Sequence, residues 1–209
     1  MKSVVVGSGG REHALAHVLG RDSDVTVTPG NPGIPNSTTQ SPLNIDADLF
    51  VIGPEAPLVD GLADRLRAQG KTVFGPGVDG AQLEGSKAWM KDLLVEANVP
   101  TAKHGTFTNE DEAIAFLSDM PLPYVIKTDG LAAGKGVIVT ESVNEAKDAI
   151  KNYLSGDAFG DAGKTVVIEE GLIGNEISIL AICDGTKAVP LAPAPVSYTH
   201  LRAHETNSN

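Results

Sequence analysis

The chain contains a single cysteine, Cys183, among its 209 residues. One thiol can form neither an internal disulfide framework nor a cysteine-based metal site, so both are excluded. No apolar stretch approaches the roughly 20 residues that a membrane-spanning helix needs, which argues against a membrane protein. Met1 leads directly into a strand-like run and not into a signal peptide, so we expect a cytoplasmic protein.

Positive charge is also scarce, with 16 lysines and arginines against 27 acidic residues and a formal net charge of -11. Nucleic acids and anionic membranes are bound by clustered Lys and Arg, so we expect neither as a partner. A phosphate site in this chain must therefore be a local positive region on an acidic protein. The apolar fraction of 41% is that of an ordinary globular protein, long enough for one large domain or two small ones.

In the segment Ile126–Val139, two lysines flank a glycine-rich loop. The loop is not a P-loop, because its first two glycines are one position too close and Gly136 replaces the magnesium-binding hydroxyl. The β-branched runs on both sides predict two strands, so we interpret the loop as a flap over a nucleotide. Lys127 and Lys135 would donate charge-assisted bonds to phosphate. Gly134 and Gly136 would let backbone N–H groups approach it.

The order of predicted elements favours an α/β fold in two parts. Strands and helices alternate over residues 1 to about 80, which predicts a small parallel sheet with its functional loops at the carboxyl ends of the strands. The helix after strand "DLFVIG" is expected to be a single amphipathic one ending at Gly70. A further helix is expected from the N-cap Ser86 to a point before Pro100. The strands and helices beyond it predict an antiparallel α+β module.

A glycine-rich turn follows the first strand. It resembles a dinucleotide fingerprint, but Glu12 stands where the third glycine belongs, and no acid ends the second strand, so an NAD enzyme is disfavoured. The remaining turn before a helix, with Gly9 and Gly10, suits a phosphate or another anion, with Arg11 as a forked donor. The alternative is that the glycines only permit a tight turn. His13, one turn before His17, is expected to have a packing or surface role.

Three more groups of residues are candidates with open alternatives. Glu55, at the carboxyl edge of the sheet, either binds an amine or hydroxyl or only favours the next helix N-terminus. Lys87 is either a phosphate ligand or a surface lysine. The segment that begins at strand "VVIEE" either presents backbone groups to an adenine and a carboxylate to a ribose, or ends in solvated glutamates. Its candidate residues are Glu169, Glu170, Leu172 and Glu176.

Several motifs occur together in one order: "GGREHA", "PGN", "VIGPEAPLVDGL", "AQLEGSKAWMK", "VIKTDGLAAGKGV", "AFGDAG" and "VVIEEGL". From Lys2 to about Ala194, this sequence resembles the phosphoribosylamine–glycine ligase (glycinamide ribonucleotide synthetase) family of ATP-grasp ligases. The resemblance implies a Rossmann-like substrate domain over 1–85, connecting helices and the start of the ATP-grasp domain over 86–120, and the ATP-grasp lid subdomain over 121–194, with the fold truncated after it.

The resemblance also implies an activity, in which ATP, glycine and 5-phosphoribosylamine give glycinamide ribonucleotide through glycyl phosphate. Lys87, Lys127 and Lys135 would contact ATP, and the backbone around Gly134 and Gly136 would cover the γ-phosphate. Glu169, Glu170 and Leu172 would frame the adenine, and Glu176 would hold the ribose. The phosphoribosylamine side would be lined by Gly9, Gly10, Arg11, Glu12, Asn31 and Glu55.

The chain departs from the family pattern in two places. Residues 32–47 are shorter than the strand–helix excursion expected there, so the edge of the substrate domain is reduced. The part expected to hold the catalytic residues and the Mg²⁺ or Mn²⁺ ligands is missing after "VPLAPA". We therefore assign no catalytic residue or metal ligand within this chain, and we expect the chain alone to be inactive as a ligase.

The last residues, 195–209, are expected to be foreign to the natural protein. The stretch "VSYTHLRAHET" is the translation of a transposase adapter used to prepare sequencing libraries. His200 and His204 in this stretch are given no metal-binding role.

Other functions are kept as alternatives. Another ATP-grasp carboxylate–amine ligase, such as a carboxylase subunit, is disfavoured by "GGREHA" and "GPEAPLV". A nucleotide-binding module without catalysis is the alternative from a different class.

Overall fold

Four strands pair in parallel in the N-terminal part of the computed structural model, which describes residues 1–132, 136–156 and 164–195. The spatial order is β2-β1-β3-β4, which confirms the predicted parallel sheet. The strands are β1 (Lys2–Gly7), β2 (Asp24–Pro29), β3 (Leu49–Ile52) and β4 (Thr72–Phe74). The helices of this part are α1 (Gly10–Leu19), α2 (Glu55–Val59), α3 (Leu62–Ala68) and α4 (Val78–Gly85), with a 3-10 turn at Pro42–Asn44.

Both faces of β1 are buried, as expected for a central strand of a parallel sheet covered by helices. Val4 and Val6 pack with residues of α2, α3 and α4, whereas Val5 packs with β2 and the inner face of α1. The short segment between β2 and β3 still covers the outer edge of β2. Within it, Ile34 is buried and the Thr38 amide donates to the carbonyl of Val27 at 2.9 Å.

The single helix predicted after β3 is wrong, because the structure has two helices, α2 and α3. Gly61 separates them with a φ of 76°, a left-handed conformation that does not continue an α-helix and favours glycine. The predicted stop at Gly70 is confirmed. The Gly70 amide donates to the Arg67 carbonyl, and the Lys71 amide donates to the Leu66 carbonyl. These are the two hydrogen bonds of a Schellman motif.

A second sheet is antiparallel, with the order β5-β8-β6-β7, which confirms the predicted α+β module. It follows helix α5 (Lys87–Glu96), whose N-cap is the predicted Ser86. Its strands are β5 (His104–Phe107), β6 (Tyr124–Thr128), β7 (Val137–Thr140) and β8 (Val166–Glu170). Helices α6 (Glu110–Phe116) and α7 (Val143–Leu154) accompany it, with a 3-10 turn at Leu117–Asp119.

Alternation along β6 and β8 places their residues on two faces of this sheet. Ile126 and Ile168 lie in the core with the buried side of α7. Lys127 and Glu169 therefore point to the opposite face. Lys127 pairs with Val167 in the register of β6 and β8, so Glu169 is its diagonal neighbour, within reach of a long side chain.

The described chain divides into two compact units, Met1–Gly171 and Leu172–Asn209. Both four-stranded sheets belong to the first unit, and the predicted domain boundary near Ser86 stays a prediction. In the second unit, β9 (Ile177–Ser178) pairs with β12 (Ala194–Pro195), and β10 (Ala181–Cys183) pairs with β11 (Ala188–Pro190). The predicted adapter stretch at 196–206 lies outside the described residues. Among the helices that the structure describes, none has the length and apolar character to cross a membrane.

Candidate substrate and nucleotide sites

The first candidate site lies at the carboxyl edge of the parallel sheet, where β1, β2 and β3 end. The loops that leave these strands and the first turns of α1 and α2 carry all the residues predicted for the phosphoribosylamine side. This is the edge at which open α/β sheets bind ligands. The residues brought to it are Gly9, Gly10, Arg11, Glu12, Asn31 and Glu55.

Glu12 is the buried centre of this edge, with only 4% of its surface exposed. One carboxylate oxygen accepts the Gly9 amide at 2.7 Å, and the other accepts the Arg11 Nε–H at 3.1 Å. A Cβ on Gly7 would lie 2.3 Å from Glu12 Cγ, and one on Gly53 would lie 2.2 Å from Glu12 Oε1. The residue that replaces the third fingerprint glycine is thus accommodated by glycines at the ends of β1 and β3.

Arg11 bridges two acids at this edge. Its Nη1 donates to Glu55 Oε1 at 3.1 Å, beside the bond from its Nε to Glu12. The hydrogen bonds to Glu55 and then to Glu12 raise the pKa of Arg11 above its ordinary value. The pKa of Glu55 is lowered, first by its own backbone N–H and then by Arg11. With one cation between two carboxylates, and the Gly9 amide bonded to Glu12, the turn is less suited to a lone anion than its sequence predicts.

Asn31 ties two loops of the edge together. Its amide nitrogen donates to the Ser8 carbonyl at 2.6 Å, and its amide oxygen accepts the Gly33 N–H at 2.7 Å. These bonds fix the turn after β2 against the turn after β1. The side chain of Asn31 therefore shapes the edge in this structure.

The second candidate site lies where α5 meets the flap between β6 and β7. Ser86 Oγ and the Ala88 amide both donate to Asp129, at 3.0 and 3.1 Å. Lys87 Nζ donates to the Gly130 carbonyl at 2.7 Å. Burial is the first cause of the lowered pKa of Lys87, and the nearby charge of Lys127 lowers it further, whereas Asp129 raises it. Lys87 is thus a half-buried cation at the base of the flap and not a surface lysine.

Lys127 lies beside Lys87 and forms an ion pair with Glu169. Its Nζ is 2.9 Å from Glu169 Oε1, and Lys91 Nζ is 3.1 Å from Glu169 Oε2. Lys91 also donates to Thr101 Oγ1 at 2.7 Å. The side chains of Lys91 and Glu169 are 5% and 7% exposed, against 24% for Lys127. Removing one partner of so buried a pair costs several kcal/mol, roughly 3–5, because the other charge is left uncompensated.

The other predicted nucleotide residues are placed in different ways. Glu170 Oε1 accepts the Lys103 amide at 2.7 Å, which links β8 to the chain before β5. Gly136 is buried where a Cβ would lie 2.1 Å from Thr128 Cγ2, so close packing also requires glycine there. Leu172 and Glu176 belong to the second unit and are exposed. Gly134 and Lys135 lie outside the described residues.

Sequence reasoning missed Asp129 and Lys91. Lys91 follows Lys87 by four residues, the spacing that puts two side chains on one helix face, so the pattern was available. Asp129 follows Lys127 in "KTDG", and its role depends on a contact with Ala88 of α5, 41 residues earlier in the chain, which spacing alone does not reveal.

A separate cavity of about 410 Å³ lies at the other end of α1. His13 and His17 line it with Arg21, Asp24 and Asn36. None of the residues predicted for substrate or nucleotide lines this cavity, and we assign it no role.

The parallel sheet and the flap-bearing antiparallel sheet that follows it define the chain as an ATP-grasp protein. Solved ATP-grasp structures share the fold. D-alanine–D-alanine ligase from Bacillus anthracis complexed with ATP has a TM-score of 0.66 at 16% identity, over 96% of this chain and 67% of that one. Phosphoribosylamine–glycine ligase from Thermotoga maritima has a TM-score of 0.77 at 30% identity, over 92% of this chain and 49% of that one.

Two domain models of one protein family match this chain along its length. The N domain of phosphoribosylglycinamide synthetase matches residues 1–84, and its ATP-grasp (A) domain matches residues 85–209. The chain belongs to the phosphoribosylglycinamide synthetase family, as its motifs predict. Phosphoribosylamine–glycine ligase from Xylella fastidiosa strain 9a5c is 49% identical over 98% of this chain and 50% of its own length. The same enzyme from Escherichia coli K12 is 45% identical over 100% of this chain and 52% of its own length. The chain thus spans about half the length of the curated relatives it matches.

Proposed function

We propose that this chain provides the substrate edge and the nucleotide lysines of an ATP-dependent ligase that joins glycine to 5-phosphoribosylamine. The products would be glycinamide ribonucleotide, ADP and phosphate, as in de novo purine synthesis. The observation that carries the proposal is the match to both family domains, combined with the cluster of Lys87 and Lys127 at the flap. The family acts on small molecules, and the cytoplasmic location expected from the sequence stays a prediction.

The proposed reaction activates a carboxylate. A glycine carboxylate oxygen attacks the γ-phosphorus of ATP and releases ADP, which gives glycyl phosphate. The amine of 5-phosphoribosylamine then attacks the acyl carbon, an amide C–N bond forms, and the C–O bond to phosphate breaks with loss of the amine proton. A carboxylate resists amine attack until its oxygen becomes such a leaving group. Flap closure would exclude water and align the amine, and orientation alone is worth ~7–11 kcal/mol.

The nucleotide would lie on the face of the antiparallel sheet that carries Lys127 and Glu169, opposite the hydrophobic core. Lys87 and Lys127 are described cations there that are only partly buried, and the ammonium of each is suited to phosphate oxygens. We propose that Lys135 and the backbone of Gly134 and Gly136 close over the γ-phosphate. Glu170 and Leu172 would frame the adenine, and Glu176 would hold the ribose. For Glu169, which the resemblance places beside the adenine, the contacts of both carboxylate oxygens with lysines support an indirect role through those two cations.

The phosphoribosylamine would bind at the edge of the parallel sheet. The carboxylates of Glu12 and Glu55, which flank Arg11, suit an amine and sugar hydroxyls better than a bare phosphate. The turn with Gly9 and Gly10, and Asn31 across from it, would line the same edge. This assignment places the nucleophilic amine, and not the phosphate, next to the acids.

ATP-grasp ligases use ATP and a divalent metal, and we propose Mg²⁺ or Mn²⁺ here. Among residues 1–132, 136–156 and 164–195, no group of three or more His, Cys, Asp or Glu side chains could hold a metal ion.

Titration of the chain with ATP in a calorimeter tests the nucleotide site. Lys127→Met should weaken ATP binding about tenfold or more, because one charge-assisted bond to phosphate is lost. Lys147→Met is the matched control, since it removes an exposed lysine of α7 and changes the net charge equally. Equal ATP affinity in the two variants, both folded by circular dichroism, would contradict the proposed site.

A further inference from the structure

Glu169 carries one carboxylate but pairs with two lysines. Oxygen Oε1 lies 2.9 Å from Lys127 Nζ, and Oε2 lies 3.1 Å from Lys91 Nζ. Both oxygens of the acid therefore have a cation at hydrogen-bond distance. The group of Lys91, Glu169 and Lys127, here called the lysine clamp, carries a net charge of +1.

The two lysines of the clamp differ in access. The Lys91 side chain is 5% exposed and also donates to Thr101 Oγ1 at 2.7 Å, so it is enclosed by protein. The Lys127 side chain is 24% exposed and lies close enough to Lys87 to lower the pKa of that residue. Lys127 is thus the member of the clamp that a ligand can reach, and Lys91 is the member enclosed by protein.

The sharing of the Glu169 carboxylate between two lysines has an electrostatic consequence. If Lys91 is removed, the whole carboxylate of Glu169 pairs with Lys127, and the two charges cancel. Lys127 would then be less available to a phosphate, because an ion pair must be weakened before a new one forms. Lys91 stands on α5, which begins at Lys87 and whose Ala88 amide donates to Asp129 at the base of the flap, so its position is fixed by the same helix that carries the other nucleotide lysine.

We propose that Lys91 is a positioning residue that shares the carboxylate of Glu169 with Lys127 and so keeps Lys127 available to a polyphosphate. The inference rests on the proposed nucleotide site and adds to it a residue that touches no ligand. It makes the clamp, and not Lys127 alone, the unit that sets affinity for the phosphate chain.

The first test compares ATP, ADP and adenosine as ligands of the chain. Lys91→Met should weaken binding of ATP about tenfold and should leave adenosine binding unchanged, because the effect acts on phosphate. Lys147→Met, on the surface of α7, should bind all three like the unchanged chain. An equal loss for adenosine and ATP would overturn the inference, since that result indicates general damage to the fold.

The second test is rescue by a second substitution. In Lys91→Met/Glu169→Gln, the freed carboxylate charge is gone, so ATP binding should recover toward that of the unchanged chain. A double variant that binds ATP no better than Lys91→Met would overturn the sharing of the carboxylate. Melting temperatures of both variants separate this result from instability.

The third test needs no nucleotide. Acetic anhydride labelling at pH 9, read by mass spectrometry, reports the reactivity of each lysine amine. Lys91→Met should reduce labelling of Lys127, because its ammonium then has the carboxylate to itself, whereas loosening of the fold would increase it. If the unchanged chain fails to bind ATP, the proposed nucleotide site of the isolated chain fails, and this labelling result still decides whether Lys91 controls Lys127.

Discussion

At the scale of single residues, the carboxyl edge of the parallel sheet depends on a fit between one acid and two glycines. Glu12 is buried, and its side chain fills the space that a Cβ on Gly7 or Gly53 would need. The acid also satisfies the Gly9 amide at the helix N-terminus. The edge is therefore built around the carboxylate of Glu12. The glycines that make room for this side chain, Gly7 and Gly53, stand at the ends of β1 and β3.

Gly53→Ala should destabilise the protein by about 1–3 kcal/mol, because the new methyl group would overlap Glu12. Urea unfolding measures the change. Gly10→Ala is the matched control, since a Cβ there meets nothing within 4 Å, and it should be neutral or stabilising. Gly53→Ala/Glu12→Ala should recover part of the loss. Equal stability of the two alanine variants would show that the predicted overlap is absent.

The lowered pKa of Lys87 predicts a pH dependence of ATP binding. Its pKa is lowered from 10.5, chiefly by burial, and a bound phosphate would favour the charged form. Affinity should therefore be constant below the lowered pKa and should fall as the pH rises through it, before 10.5 is reached. Lys87→Met should bind ATP more weakly and should lose this part of the pH dependence. A pH profile unchanged by the substitution would remove Lys87 from the phosphate site.

At the scale of elements, helix α5 joins the two halves of the first unit through its N-terminus. Ser86 accepts the Trp89 amide and donates to Asp129, which also accepts the Ala88 amide. A carboxylate at a helix N-terminus is favourable both as a cap and with the helix dipole. The base of the flap and the start of α5 are thus one hydrogen-bonded assembly.

Asp129→Ala should lower the free energy of unfolding by about 1–2 kcal/mol through loss of these bonds. It should also lower the pKa of Lys87 further, since Asp129 is the first of the charges that raise it. Asp148→Ala, on the exposed side of α7, is the control for removal of an acid. Urea unfolding measures the free energy of both variants. A difference between them below about 0.5 kcal/mol would contradict a stabilising role of Asp129 at the N-terminus of α5.

The sequence predicted these elements unevenly, for physical reasons. Strand runs such as Lys2–Gly7 and the cap at Ser86 are local signals, and both are confirmed. The break at Gly61 was missed because Leu58 and Leu62 keep helical spacing across it, and only the φ of 76° reveals the interruption. Asp129 was missed because its partners lie in another element, and pairing across the fold leaves no short-range pattern. Lys91 was missed although its spacing of four residues from Lys87 is a short-range pattern.

At the scale of the whole molecule, burial is distributed unequally between the two units. The first unit contains the hydrophobic clusters under both sheets. In the second unit, every described residue from 172 to 195 is exposed, including Ile173 at 92% and Leu172 at 74%. Two short antiparallel pairings hold these residues without a described core of their own.

Hydrogen exchange should therefore separate the units in the isolated chain. Amides of β10 should exchange at least about a hundredfold faster than those of β6 and β8, because small exposed pairings open at little cost in free energy. Mass spectrometry of proteolytic fragments resolves these segments. Equal protection of β10 and β8 would contradict the unequal burial.

Ligase activity tests the central claim most directly. Residues 1–195 would replace the matching half of the Xylella fastidiosa relative, which is 49% identical to this chain. The account predicts that the folded chimera releases ADP over many turnovers when glycine and 5-phosphoribosylamine are both present, and that Lys127→Met in the exchanged half removes the activity. A folded chimera that releases no ADP with both substrates, or one that Lys127→Met leaves unchanged, would contradict it.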